Sequence, residues 1–296
     1  MLQNIFFGLS LGAVYSLIAV GFALVFNILK FSNFSHGGVM SFTAYAGYLA
    51  YIWIFDGNVT GSVMFVAVVL TAAVVGAVTA VGIERVGFRR LRRNQAPVIY
   101  YFISSITLGI LLENIITIFA SSNFYSYPVF FSSKNIEFLG TSFSVADVVT
   151  LLFSAAALSA LLFVLYRTKL GLAVRTVSFD VNTASLMGID ADRVVMATFA
   201  MSGALGGISG VFLGMNYSLY PQLGQLVVKG FIASVIGGLG SITGAVIGAL
   251  LLGIVEVGLI GVVGSGWMPA CVFVIMLVFL LVRPRGISGL IVQEKA

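Results

Sequence analysis

The residues able to do chemistry are few and poorly placed for it. His36 is the one histidine and Cys271 the one cysteine in 296 residues, and the ten carboxylates are scattered. A histidine-activated nucleophile needs base and orienting partners beside it, and a metal site needs several ligands drawn together. Hydrolytic and metal chemistry are therefore disfavoured, no cofactor is called for, and a lone thiol in an apolar run supports no disulfide framework. The run Gly237-Gly238-Leu239-Gly240-Ser241-Ile242-Thr243-Gly244 invites a nucleotide-loop reading, but no lysine follows its last glycine. A phosphate-binding P-loop requires that lysine. The stretch encodes no ATP site and reads as a turn between two apolar runs.

Three other groupings carry more information. The polar stretch 167–193 contains Asp180, Asn182, Ala184, Ser185, Leu186, Met187, Gly188 and Ile189. Ala184, Leu186, Met187 and Ile189 put apolar surface on an otherwise charged loop, and Gly188 can end a short helix. The spacing predicts one or two short helices forming a knob for a partner's groove, or else an amphipathic element along the inner leaflet. Lys229 and Glu256 flank the turn at Gly240-Ser241, which brings them to similar depth near the outer face. They can pair there, the plainer alternative being a lysine that snorkels. Glu113 and Asp147 fall toward span ends, so no carboxylate occupies the midplane position that ion-coupled transporters use. In Asn33-Phe34-Ser35-His36-Gly37-Gly38, the Asn, Ser and His side chains can cap a helix start while the glycines permit a tight bend. A gating or substrate role for Asn33 and His36 is the alternative.

These residues must be held by membrane helices. The chain is 60% apolar and 8% charged, with mean hydropathy +1.12, whereas a soluble domain carries about 25% charged residues. A span needs about 20 apolar residues, so the chain forms about eight to ten spans. No stretch is left for a folded soluble domain, and residues 1–296 read as a single transmembrane domain. Apolar runs occur at 4–29, 34–55, 60–82, 97–120, 145–166, 194–214, 226–240, 242–260 and 267–282. They lack the alternation of barrel strands, so the fold class is all-α, polytopic. The last three runs leave one ambiguity: 226–260 either crosses twice or re-enters.

The net charge of +5 sets orientation rather than nucleic-acid binding. Arg85, Arg89, Arg90, Arg92 and Arg93 oppose Glu84 alone in 83–96, which places that loop in the cytoplasm. The stretch 167–193 and the C-terminus follow it inside, and the N-terminus lies outside. Of the fifteen basic residues only Lys134 and Lys229 then fall elsewhere. Met1 leads directly into a span, without a basic leader or cleavage site. Gly8, Gly12 and Ser16; Gly206, Gly210 and Gly214; and Gly240, Gly244 and Gly248 recur every fourth position, making smooth faces for close helix packing. Gly21, Leu24, Asn27, Val39, Phe42 and Ala44 align in order with Gly210, Leu213, Asn216, Val228, Phe231 and Ala233. The two segments enter the membrane from opposite sides, which suggests an inverted repeat of the kind transporters use.

Three features in the same order resemble one family closely: Asn33-Phe34-Ser35-His36-Gly37, the Ala184-Ser185-Leu186-Met187-Gly188-Ile189 loop, and the Gly237–Ala245 turn. Together they resemble the LivH-type permeases of branched-chain amino acid ABC importers, over almost the whole chain. The resemblance implies a permease subunit in the cell membrane of a prokaryote. Its implied partners are a second, LivM-like permease, two cytoplasmic ABC ATPases and an extracytoplasmic substrate-binding protein. ATP hydrolysis belongs to the partners, and 167–193 becomes the coupling loop seated in an ATPase groove. The acidic residue frequent at the start of that motif stands here as Asn182, so a salt bridge from that position is not expected. Specificity would sit mainly in the binding protein, leaving a permissive pathway in this subunit. Ser16, Asn27, Thr43 and Ser234, polar residues on long spans, are its candidate lining. Urea importers use a similar permease, and a passive channel for small neutral solutes would share the glycines and the repeat. The 167–193 loop argues against a channel, which needs no ATPase dock.

Overall fold

The computed structural model describes residues 2–53, 61–121, 123–131, 135–138, 141–284 and 286–288. Its helices are α1 (Leu2–Leu29), α2 (Ser35–Trp53), α3 (Ser62–Ile83), α4 (Arg89–Arg93), α5 (Val98–Ala120), α6 (Val145–Arg167), α7 (Lys169–Phe179), α8 (Val181–Leu186), α9 (Ala191–Tyr217), α10 (Val227–Gly237), α11 (Ile242–Val263) and α12 (Met268–Val282). A π-helical segment, Glu84–Phe88, joins α3 to α4, and a 3-10 turn, Pro221–Leu226, leads into α10. The all-α expectation holds, with one addition: strands β1 (Asn135–Phe138) and β2 (Thr141–Ser144) form a short antiparallel hairpin, Asn135 opposite Ser144.

Among the described residues, seven helices are long and apolar enough to cross a membrane by themselves: α1, α3 with α4, α5, α6, α9, α11 and α12 with the turn before it. The remaining two apolar runs, which form α2 and α10, are not among them. Helix α2 starts only after the irregular stretch 30–34, and α10 has 11 residues, a rise of about 16 Å against a hydrocarbon core of about 30 Å. The run 226–240 is therefore a half-length helix that ends in a turn at Gly238–Gly240, where both glycines have positive φ.

Helix packing is paired in the way the proposed repeat requires. Helix α1 packs antiparallel on α11, and α9 packs antiparallel on α3; α1 touches α10 as α9 touches α2; α2 lies on α3 as α10 lies on α11. Small residues make the long seams. Gly8 and Gly12 meet the backbone of Ile254 and Leu250, and Gly203 and Gly207 meet that of Gly76 and Ala72. In lipid such close approach supplies the dispersion contacts that apolar burial cannot. Gly248 lies against Ala233 and Gly210 against Met40, so both are packing positions, whereas Gly240, at φ 87°, lies in the turn before α11 and not on a helix face. Tyr15, Phe22, Phe65, Phe88, Phe199 and Phe212 fill the centre.

One end of the bundle gathers the basic residues. Arg89, Arg92 and Arg93 reach Asp192 at the start of α9. Phe31, beside Lys30, packs on Phe88 and Tyr101. Gly240 sits near Asn27, and Gly286 against Gly238. Lys134, Arg285 and Lys295, which also bear on orientation, lie outside the described residues. At the opposite end Tyr125 pairs through its backbone with Leu219, and Phe130 packs on Tyr51 and Phe65.

Candidate functional site

The 167–193 stretch folds as two short helices on a rigid footing. Thr168 caps α7, its hydroxyl accepting from the Gly171 amide at 3.2 Å. Asp180 caps α8, accepting from the amides of Asn182 (2.8 Å) and Thr183 (3.3 Å) and from the Thr183 hydroxyl (2.7 Å). Those bonds hold its carboxyl below the ordinary carboxylate range, the Thr183 contacts first. Gly188, at φ 81°, closes α8, and the Ile189 amide returns to the Ala184 carbonyl at 3.1 Å. Asp190 then caps α9 through the Arg193 amide.

The side chains divide differently from the expectation. Ala184 is 0% exposed and packs inward, because it faces the bundle on the inner side of α8. Ile189 is half-buried against the core. The outward apolar tip is instead Leu186 (89% exposed), Met187 (74%) and Phe179 (92%). Ser185 is exposed, its hydroxyl donating to the Val181 carbonyl, and Asn182 is exposed. The acidic group at the head of α8 is Asp180. Sequence reasoning missed Phe179, whose signal was a large aromatic just before a capping aspartate.

A second cluster lies near the starts of α2 and α10. Gly37 in α2 and Gly224 before α10 meet backbone to backbone, and the Gly224 amide donates to the Ser41 hydroxyl at 2.6 Å. Asn33 caps α2, accepting from the Ser35 amide (3.2 Å) and hydroxyl (2.6 Å). His36 takes no part in that cap. Its buried ring lies between Gly21 and Gly206, each of whose added β-carbons would stand 2.9 Å from it. Its Nδ1 is 3.4 Å from the Ser202 hydroxyl, which itself donates to the Gly21 carbonyl. Gly37 and Gly38 serve close approach rather than a bend, Gly38 pressing on Gly109 of α5. Of the lining candidates, Ser16 and Thr43 are buried and donate to carbonyls of their own helices. Ser234 is buried on α10, and Asn27 is half-buried beside Gly240. The structure does not bring these four together.

Lys229 and Glu256 are joined at 2.5 Å, and the lysine also donates to the Tyr15 hydroxyl at 2.9 Å and lies over the Tyr15 and Tyr217 rings. Glu256 is 2% exposed, so helices enclose the pair on all sides. Along the bundle, the Gly8–Ile254 and Gly12–Leu250 contacts set Glu256 level with the first turns of α1, and Tyr217 is the last residue of α9, toward the end opposite the basic one. The buried carboxylate is paired with a lysine.

Comparisons with known proteins identify the family. Residues 4–281 match the family model of branched-chain amino acid transport system permease components. The chain is 32% identical over 295 residues to the high-affinity branched-chain amino acid transport system permease protein LivH of Escherichia coli (strain K12), covering 97% of this chain and 95% of that one. It is 30% identical over 295 residues to the BraD permease protein of Pseudomonas aeruginosa, with the same coverage. Against the probable LivH permease of Methanocaldococcus jannaschii it is 28% identical over 286 residues, 92% of this chain and 88% of that one. No solved structure matches. A multi-pass bundle of this build, matched along nearly its whole length, belongs to the branched-chain amino acid transport system permease component family.

Proposed function

We propose that this chain is the permease subunit of an ABC importer that carries branched-chain or other small amino acids from an extracytoplasmic binding protein into the cytoplasm. It pairs with a second, LivM-like permease and rests on two cytoplasmic ATPases through α7 and α8. The observation that carries the reading is the tip Phe179, Leu186 and Met187: three large apolar side chains turned outward on a doubly capped platform. Such a patch is costly in water and fits an apolar groove on a partner. The basic end is the cytoplasmic one by the positive-inside rule, with the N-terminus outside and the C-terminus inside.

The permease supplies a path and its partners supply free energy. A thousandfold gradient of a neutral solute costs about 4 kcal/mol. That demand requires no charged coupling site here, and the buried Glu256 is already neutralised by Lys229.

Co-purification followed by reconstitution tests the proposal. Recovery with an ATPase pair, and ATP hydrolysis stimulated by the binding protein loaded with leucine, isoleucine or valine, is the expected result. A homo-oligomer that conducts without ATP overturns it. Single cysteines at Leu186 and Phe124 should label from the cytoplasmic and outer sides respectively.

A further inference from the structure

We propose that Asp192 and the arginines around it form the joint that carries motion of the α7–α8 knob into the membrane helices, a positioning role that rests on the importer reading above. Asp192 is the second residue of α9, directly after the knob. Its carboxylate gathers three guanidinium groups: Arg92 at 2.6 Å on Oδ1, with Arg93 at 3.1 Å and Arg89 at 3.2 Å on Oδ2. Arg92 also bonds Glu84 at 2.8 Å, and the Glu84 carboxylate has no exposed surface. A buried carboxylate stripped of its partner is strongly unfavourable, so Arg92 is fixed from one side by Glu84 and from the other by Asp192.

The backbone explains why these arginines face α9. Arg89, Arg92 and Arg93 are spaced i, i+3 and i+4 and share one helix face. The π-helical segment Glu84–Phe88 lies directly before them. A π segment adds a residue to the turn and rotates everything after it, and such bulges recur at functional positions. Here the rotated face is the one that meets Asp192.

The joint closes a mechanical loop. Above it, α3 and α9 are already seamed at Gly76–Gly203 and Ala72–Gly207. Below it, Asp190 caps α9, and buried Ala184 holds α8 to the bundle. A push on Phe179, Leu186 or Met187 therefore reaches α9 beside a charge cluster that pins α9 to α3–α4. With the cluster intact, the first turn of α9, where the knob joins it, moves with the seamed α3–α9 pair; with the charge removed, the knob can swing on that first turn without moving the pair.

The test uses the assembled importer with its ATPases and binding protein in proteoliposomes. Asp192→Asn should leave stimulated ATP hydrolysis within about twofold of the parent, while import per ATP falls about tenfold. Asp192→Glu, which keeps the charge, should restore most of that ratio, and Arg89→Gln and Arg93→Gln should lower it in smaller steps. An unchanged ratio in Asp192→Asn, or equal loss of hydrolysis and import, overturns the proposal. Where Asp192→Asn does not assemble, the two arginine variants decide, and an unaltered ratio in both overturns it. A parent complex that shows no ATP-driven import would defeat the importer reading instead.

Discussion

Gly37 and Gly224 face each other so closely that a β-carbon on either would run into the carbonyl oxygen of the other. They stand near the starts of α2 and α10 and fix where each begins. Alanine at Gly37 or Gly224 forces backbone apart from backbone and should cost at least about 1–3 kcal/mol. Gly258→Ala, with nothing within 4 Å of the new carbon, should be silent. The amount of monodisperse protein surviving a heating series separates the two outcomes.

Lys229→Ala leaves Glu256 buried and unpaired, which should destabilise the bundle by about 3–5 kcal/mol. Replacing both residues together with Met and Leu should cost markedly less than Lys229→Ala alone. Thermal unfolding of the parent, Lys229→Met, Glu256→Leu and the double variant gives the coupling, and strictly additive effects would contradict the pairing.

Leu186→Asp and Met187→Glu alter a surface that is largely exposed among the described residues, so stability should stay within about 0.5 kcal/mol. Recovery of the ATPase pair on co-purification should fall sharply. Ala184→Leu is the contrasting case: it overfills a buried position and should lower stability first.

The Asp180 cap carries a pH signature. Its carboxyl is held below its ordinary value of 3.8 by the Thr183 hydroxyl and the amides of Thr183 and Asn182. The cap's contribution to α8 is therefore fully present above that ordinary value and disappears as pH falls through the lowered one. Hydrogen exchange at the Asn182 and Thr183 amides, corrected for intrinsic rates, should show protection at neutral pH and its loss under strong acid. Asp180→Asn should keep a weaker cap with a flat pH response.

Much of this was legible in the sequence because membrane helices announce themselves by length and apolarity, and glycines at every fourth position announce seams. Lys229 and Glu256 could be paired on paper once the turn at Gly240 was recognised. Their enclosure by Tyr15 and Tyr217 could not be read, since it depends on how α1 and α9 pack around them. Ala184 reads as surface in the sequence and lies inside for a related reason: which side of a two-turn helix faces inward depends on what it packs against. The meeting of Arg89, Arg92 and Arg93 with Asp192 joins residues about a hundred positions apart, and it turns on a π segment that side-chain periodicity does not reveal.

The glycine seams have a corollary for stiffness. Where Gly76 lies on Gly203 and Gly12 on Gly253, no rotamers stand between the chains to be reshuffled. Displacement has nowhere to dissipate at such a junction, so each antiparallel duo behaves as a laminated beam. Any bending in this molecule must be taken up where bulky side chains interleave, and the beams set the smallest pieces into which it can be divided.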